Sequence, residues 1–399
     1  MNTNPRLRPL DATWIDHNGQ PGILLRDRLG ISTSAAVVPR ALVPILPLCD
    51  GSRSLQAIRS VFELRTGIPI SLSAVQQLAE QLDEALLLDS PRFREAYQAC
   101  LEEYRAAPFR PATLAGHVYP ADPDDLEQAL GQYGEELGDA TGPAAGIRGI
   151  VCPHIDYARG GPMYAAVWRQ AARAARNADL VLVFGTDHAG DGPGLNLTGQ
   201  SYATPWGILP TEKTVVEDMA AVLGNEDAFS HELHHRNEHS IEMAMVWLHY
   251  TRRRRACPVV PILCGSVQPG DSGQPGAFRG AIDALRMATK GRRVLAVAAA
   301  DLAHVGPVFG DPSPFGPQEQ SGVASEDEKL LSVLCAGDAE AFLGTVMADG
   351  DRRRVCGTPP VYALLHYLNG CRGEITGYTQ CPADASGGSF VSIAGAILR

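Results

Sequence analysis

Residues 181–190 read VLVFGTDHAG, an apolar run that closes on Gly-Thr-Asp-His. Two further stretches share this grammar, VCPHIDYARGG at 151–161 and LAVAAADLAHVG at 295–306. Short apolar runs without polar alternation predict strands buried on both faces of a mostly parallel sheet. Residues 148–152, 180–185, 258–264 and 293–300 fit that description. Helical patterns fill the intervals at 124–138, 160–176, 212–223, 238–254, 277–288, 325–347 and 358–369. One large α/β domain from about residue 108 to the C-terminus accounts for this. Open sheets of this kind bind ligands in the crevice beyond the carboxyl ends of their strands. His154, His188 and His304 each follow a predicted strand into that crevice, so metal-site chemistry is the hypothesis to test.

Composition narrows the function classes. A chain of 399 residues favours two or three domains with real cores. The net charge of -11 argues against broad contact with nucleic-acid phosphates, and the run Arg252–Arg255 reads as a solvated helix end. No secretory leader pattern opens the chain, and no apolar run approaches the roughly 18 residues of a membrane helix, so a cytoplasmic protein with no membrane or nucleic-acid partner is expected. Nine cysteines without a CxxC pair are too sparse for a disulfide scaffold and read as single buried thiols, with one candidate ligand among them. The Pro/Gly-rich stretch 306–322 reads as a long surface loop beside His304, a candidate lid.

Residues 1–95 form a separate small unit. Leu42–Leu48 is an apolar run that Pro44 and Pro47 should keep extended. Ser54 can cap a helix that stops at Gly67, and Ser71 or Ser73 opens a second whose Val75, Leu78, Leu82 and Leu86 trace an apolar stripe. A charged linker helix over 96–107 follows, before the α/β domain of 108–399. The pattern ILPLCDGSRSLQAI, the stripe and the closing ALLLD resemble the PqqD-like family of small winged-helix peptide chaperones. That resemblance implies a peptide as ligand. DNA binding is disfavoured because the second helix carries Glu80, Asp83 and Glu84 and no Arg or Lys.

The larger domain carries RPATLAGHVYPADPDDL, CPHIDYARGG, GTDHAG, RNEHSIEM, DLAHVG and CGTPPVYALLHYL in order. These motifs resemble the Memo family, also called AmmeMemoRadiSam system protein B. The family is similar in fold to class III extradiol dioxygenases, three-layer α/β enzymes that hold non-haem Fe(II). The resemblance implies His154, His188 and Cys356 as metal ligands, His304 as the acid/base histidine and His239 as a second pocket histidine. It also implies a radical-enzyme partner and a small-molecule or peptide substrate.

The residues can be weighed beside the resemblance. Imidazole with thiolate suits Fe(II), Cu or Zn better than Mg or Ca. The alternative for each histidine is a strand-end side chain satisfied by loop backbone, and for Cys356 a buried inert thiol. Cys356 precedes a probable helix start, which would favour the thiolate. Asp301 could orient His304, although their spacing on an extended segment would point them apart. Asp156 and Asp187 could support a ring N–H or complete a turn, and Tyr157 could line the pocket. HELHH at 231–235 matches the zinc-protease pattern HExxH, but the apolar helical period begins only at Ile241, with Asn237 or Ser240 able to cap it, so a loop entering a helix is expected. His235, His239 and Glu242 remain pocket candidates. Three functions stay open: a non-haem iron oxidoreductase, a non-catalytic metal- or peptide-binding protein, and a Zn-assisted hydrolase.

Overall fold

The computed structural model describes residues 4–17, 19–32, 34–136, 144–190, 192–267 and 275–399, and the last two positions of the helix expected at 124–138 lie outside them. No described helix is long and apolar enough to cross a membrane. The chain divides into two compact units, residues 1–107 and 108–399.

The first unit opens with an antiparallel sheet of β1 (Leu10–His17), β2 (Gln20–Asp27) and β3 (Ala36–Pro39), in that order. Three helices follow, α1 (Leu55–Thr66), α2 (Leu72–Glu84) and α3 (Pro91–Ala106). Ser54 and Ser71 cap α1 and α2 by accepting the N–H of Ala57 and Ala74, and Gly67 ends α1 in the left-handed region at φ 69°. The apolar run before them is not extended. Residues Arg40–Leu48 form a 3-10 helix containing both prolines, since the φ that proline imposes suits that turn as well as an extended chain.

The second unit is built on an eight-stranded sheet. Its elements are α4 (Pro123–Glu136), β4 (Gly149–Cys152), α5 (Tyr157–Asn177), β5 (Leu180–Thr186), β6 (Leu195–Leu197), β7 (Tyr202–Thr204), β8 (Gly207–Leu209), α6 (Lys213–Leu223), α7 (Asn225–Phe229) and α8 (His239–Thr251). The chain continues through β9 (Val259–Cys264), α9 (Pro275–Ala288), β10 (Val294–Ala299), β11 (His304–Val305), α10 (Pro317–Ala336), α11 (Ala339–Met347), α12 (Thr358–Leu368), β12 (Gly373–Pro382) and β13 (Phe390–Leu398). Strand order is β11-β13-β4-β10-β5-β9-β6, with β12 on β13 and β7-β8 as a separate pair. The four central strands β4, β10, β5 and β9 are parallel, and antiparallel β13 and β6 flank them.

Burial explains why the central strands read as continuous apolar runs. Leu180, Leu182 and Phe184 of β5 pack with α6, α9 and α12 on one face, while Val181 and Val183 pack with α4, α5 and α8 on the other. Successive side chains point to opposite faces, so both alternating sets must be apolar. The result is a three-layer α/β domain.

Three expectations need correction. The helix placed at 325–347 is two helices, because Gly337 adopts φ 75° and Asp338 caps α11 by accepting the N–H of Ala341. The loop placed at 306–322 is shorter, since α10 already starts at Pro317, the first-turn position proline favours. The run Arg252–Arg255 is only partly a solvated helix end: Arg252 is buried and donates to the carbonyls of Ala175 and Ala178, and Arg254 pairs with Asp124 and Glu127.

Candidate metal centre

The site assembles from four chain segments, two loops that leave the sheet at strand ends and two helix starts. β4 and β5 both pair with β10, so the loops that follow them, carrying His154 and His188, emerge on either side of the β10 exit. Cys356 arrives from the turn before α12, and Glu238 and His239 from the start of α8.

Close backbone approach allows this convergence. A Cβ on Gly185 would stand 2.5 Å from Ile241 Cγ1 and 2.6 Å from Ser240 Oγ, so only glycine lets the α8 terminus settle against the end of β5. A Cβ on Gly357 would stand 2.4 Å from the carbonyl oxygen of Asp301, so glycine likewise admits the Cys356 turn to the segment after β10. The Gly357 N–H donates to that carbonyl, and Thr186 Oγ1 donates to the Cys356 carbonyl at 3.0 Å.

His154 is buried, and its Nδ1 lies 3.0 Å from the Ala299 carbonyl. A carbonyl only accepts, so Nδ1 carries the proton and Nε2 keeps its lone pair. Nε2 faces Cys356 Sγ at 3.2 Å and Asp301 Oδ2 at 3.6 Å. Burial, with His188 and His239 nearby, holds the His154 imidazole well below its ordinary pKa, hence neutral. Asp301 accepts the backbone N–H groups of His154 and Ile155 through Oδ1, pinning the β4 loop. Burial pushes its own pKa up.

Glu238 organises the second pair of rings. Its Oε1 lies 3.0 Å from His188 Nδ1 and 3.1 Å from His239 Nδ1, and accepts the N–H of Ser240 at 2.9 Å. Its Oε2 accepts the N–H of His188 at 3.1 Å. Burial alone would raise the Glu238 pKa, but His188 and His239 outweigh it and keep the carboxylate ionised. Glu238 in turn lifts His239 above its ordinary pKa against the effect of burial. With both Nδ1 atoms engaged, the two rings stack at 4.6 Å and direct their Nε2 atoms away from the carboxylate. Both stand nearly perpendicular to His154, at centroid distances of 5.0 and 5.3 Å.

Two ligand groups result. One ligand atom each from His154, His188 and Cys356 lie within 4.8 Å of one another, as do those from His188, Glu238 and His239. Ligands of one tetrahedral ion, each about 2.0–2.3 Å from it, sit roughly 3.3–3.8 Å apart. The first group could hold an ion of that kind. Its two imidazoles have their second nitrogens held by Ala299 and Glu238, the arrangement that fixes tautomer and orientation in metal sites. Glu238 in the second group is already saturated by hydrogen-bond donors.

The thiol departs from the expected thiolate. Burial, then Asp301, pushes the Cys356 pKa well above its ordinary value, outweighing the helix start. The thiol donates to His154 Nε2, so a metal held by these two residues would have to displace that proton.

The other candidates separate cleanly. His304 lies in the two-residue strand β11, paired with β13 rather than ending β10, and stands outside both ligand groups. Its Nδ1 lies 3.1 Å from the Leu302 carbonyl and its ring packs edge-on to Phe309. Burial lowers its pKa, leaving Nε2 a neutral base. Asp301 binds the His154 loop rather than orienting His304.

Glu242 is not a pocket residue. It is fully buried against Arg110 and accepts from Thr113, Leu114 and Tyr119 as well. Tyr157 is buried in the core and donates to the Met243 carbonyl. Trp168 and Trp247 are core residues too. Asp156 caps α5 by accepting the N–H of Arg159.

HELHH enters a 3-10 turn, Glu232–Arg236, and its His231 and His234 rings stack on each other at 4.9 Å. His234 pairs with Asp187, Glu232 accepts from Thr198, and His235 is locked between the Tyr202 hydroxyl and the Asn196 carbonyl with a pKa pushed down to about 4 by burial. His235 is therefore a buried side chain with both ring nitrogens engaged. The α8 cap is Glu238, not Asn237 or Ser240. Sequence reading overlooked this residue, although an acid directly before a candidate ligand at a helix start was its visible signal.

A family profile described as Memo-like protein matches residues 110–397. A MEMO1 family protein of Aquifex aeolicus is 26% identical over 382 residues, covering 94% of this chain and 95% of that protein. A MEMO1 family protein of Methanosarcina barkeri is 27% identical over 277 residues, covering 68% of this chain and 92% of that protein. One from Methanothermobacter thermautotrophicus is 27% identical over 279 residues, covering 68% and 90%.

Proposed function

Because the chain belongs to the Memo-like family, we propose that residues 108–399 form a metal-dependent oxidoreductase of dioxygenase ancestry, with His154, His188 and Cys356 as ligands and Fe(II) as the metal. The observation that carries this reading is the approach of those three ligand atoms to within 4.8 Å, with both remaining imidazole nitrogens held in place. Two imidazoles and a sulfur donor are too soft a set for Mg or Ca and suit Fe(II), Cu or Zn. Bound iron would supply a redox couple and a coordination position for a small-molecule or peptide substrate. Within the chain, Glu238 orients His188 and His239, Ala299 orients His154, and Asp301 holds the His154 loop. His304, neutral and close enough to Asp301 and His188 to feel their charge, accepts or returns a proton at Nε2.

A second reading concerns residues 1–107, as a peptide-recruiting adaptor. It is supported by β1, which pairs only with β2 among the described residues and displays Trp14 at 59% exposure. An open strand edge can add an extended peptide by backbone pairing.

Protein purified without oxygen and reconstituted should carry about one equivalent of iron by elemental analysis. His154→Ala, His188→Ala and Cys356→Ala should each lose it while keeping the wild-type circular dichroism spectrum, and His231→Ala should retain it. No metal in the wild type refutes the reading, zinc in place of iron redirects it to hydrolysis, and equal loss in His231→Ala revives the HExxH alternative.

A further inference from the structure

The sheet that presents the histidines at one end carries a different feature at the other. A cleft of about 620 Å³ lies at the amino ends of β4 and β10, walled by the carboxyl-terminal parts of α5, α9 and α12. His154 lies six positions after Arg148, at the cleft's floor, roughly 20 Å along an extended chain. It is therefore separate from the metal centre.

Arg148, Arg173, Arg286, Lys290, Arg292 and Arg293 line this cleft, and among the described residues no carboxylate does. Three of these cations are neutralised from outside it, Arg286 by Asp283, Arg292 by Glu212 and Arg293 by Asp179. Arg148 and Arg286 also cover helix-end carbonyls, Arg148 reaching Leu368 and Gly370 and Arg286 reaching Tyr367 and His366. That use answers the partial negative charge gathered where three helices end. Among the described residues, that leaves Arg173 and Lys290 with no side-chain partner and Arg148 with no carboxylate. Six cations less three paired ones leaves a local excess of three, in a chain whose net charge is -11. Ile147, Val294, Leu368 and the ring of Tyr367 supply an apolar wall beside them.

We propose that this cleft binds a phosphate-bearing small molecule. Guanidinium and ammonium groups left without carboxylates match the multiple charge and acceptor oxygens of a phosphoryl group. The volume lies within the roughly 300–1,000 Å³ of small-molecule sites, and the apolar wall seats an organic body. The overall acidic charge would repel polyanions elsewhere on the surface, so binding depends on these particular residues.

The test uses the full chain, freed of metal by chelation, in calorimetric titrations with inorganic tripolyphosphate and with ATP. Both should bind, ATP more tightly, with affinity falling as salt rises from about 50 to 200 mM. The double variant Arg173→Ala/Lys290→Ala removes two exposed side chains and should keep its fold by circular dichroism. It should weaken both probes by roughly tenfold or more, whereas Arg92→Ala, an exposed arginine of the first unit, should not. Absence of binding by either probe at about 1 mM, or unchanged affinity in the double variant, overturns the proposal. So does binding confined to phosphatidic acid vesicles, which would make the basic cleft a lipid-surface contact.

Discussion

Replacing Glu242 with glutamine tests whether this carboxylate is structural. In the wild type Oε2 accepts from Arg110 Nη1 at 2.6 Å, the Thr113 N–H at 3.1 Å and Thr113 Oγ1 at 3.0 Å. Oε1 accepts from the Leu114 N–H at 2.9 Å and from the Tyr119 hydroxyl. A glutamine can place its oxygen on only one side, so its amide group meets two or three donors on the other. Neither Arg110 nor Glu242 has exposed side-chain surface, and the guanidinium loses the Glu242 carboxylate while keeping the carbonyls of Pro111, His235 and Glu238. Leaving a buried charge uncompensated costs about 3–5 kcal/mol. At roughly 2 °C per kcal/mol for a unit of this size, the melting temperature should fall by about 6–10 °C. Differential scanning calorimetry of the full chain, following the transition of residues 108–399, reads this directly. A shift under about 2 °C would refute the argument, because it would mean the segment from Arg110 to Tyr119 is held by something other than this carboxylate.

Glu238→Gln, four residues earlier, should behave differently: Oε1 serves both imidazoles and Oε2 the His188 N–H, so the new amide group must face donors on one side or the other, and affinity for Fe(II) in competition with a chelating indicator should drop about 10–100-fold; affinity within twofold of wild type would exclude Glu238 as a positioning residue. A third prediction concerns pH and the first unit. Asp27 accepts from Arg8 and from the N–H groups of Leu29, Ile31 and Ser32, and although burial alone would raise its pKa, the Ser32 N–H and Arg8 outweigh it and hold the carboxyl below its ordinary 3.8. A depressed folded pKa adds stability above the unfolded value that is lost as pH falls through the folded one. Asp27→Asn should therefore destabilise residues 1–107 by about 2–3 kcal/mol at pH 7, with the gap narrowing below pH 3.8, in urea titrations followed by Trp14 fluorescence; a gap independent of pH would contradict the assignment.

Much of this protein was legible in its chain. The central strands announced themselves because a strand covered on both faces must be apolar at every position, and Phe184 and Val183 are equally buried. Helix limits at Ser54, Ser71 and Gly67 were readable because capping is local chemistry. The prospect of His154, His188 and Cys356 meeting came from motif order and resemblance.

Other features depended on contacts between residues distant in sequence. Glu242 looked like a pocket acid and is a core anchor because Arg110, 132 residues away, reaches it. Asp301 serves the His154 loop rather than its near neighbour His304, and the Cys356 thiol is governed by burial rather than by the helix beside it. The grouping of His188 and His239 around Glu238 needed α8 seated against Gly185. Periodicity and capping record what a residue's near neighbours require, so the amino-acid sequence determined the elements and their faces. Which polar groups share a desolvated space is a property of the packed sheet and helices, and only the tertiary structure decided the partners of each buried charge.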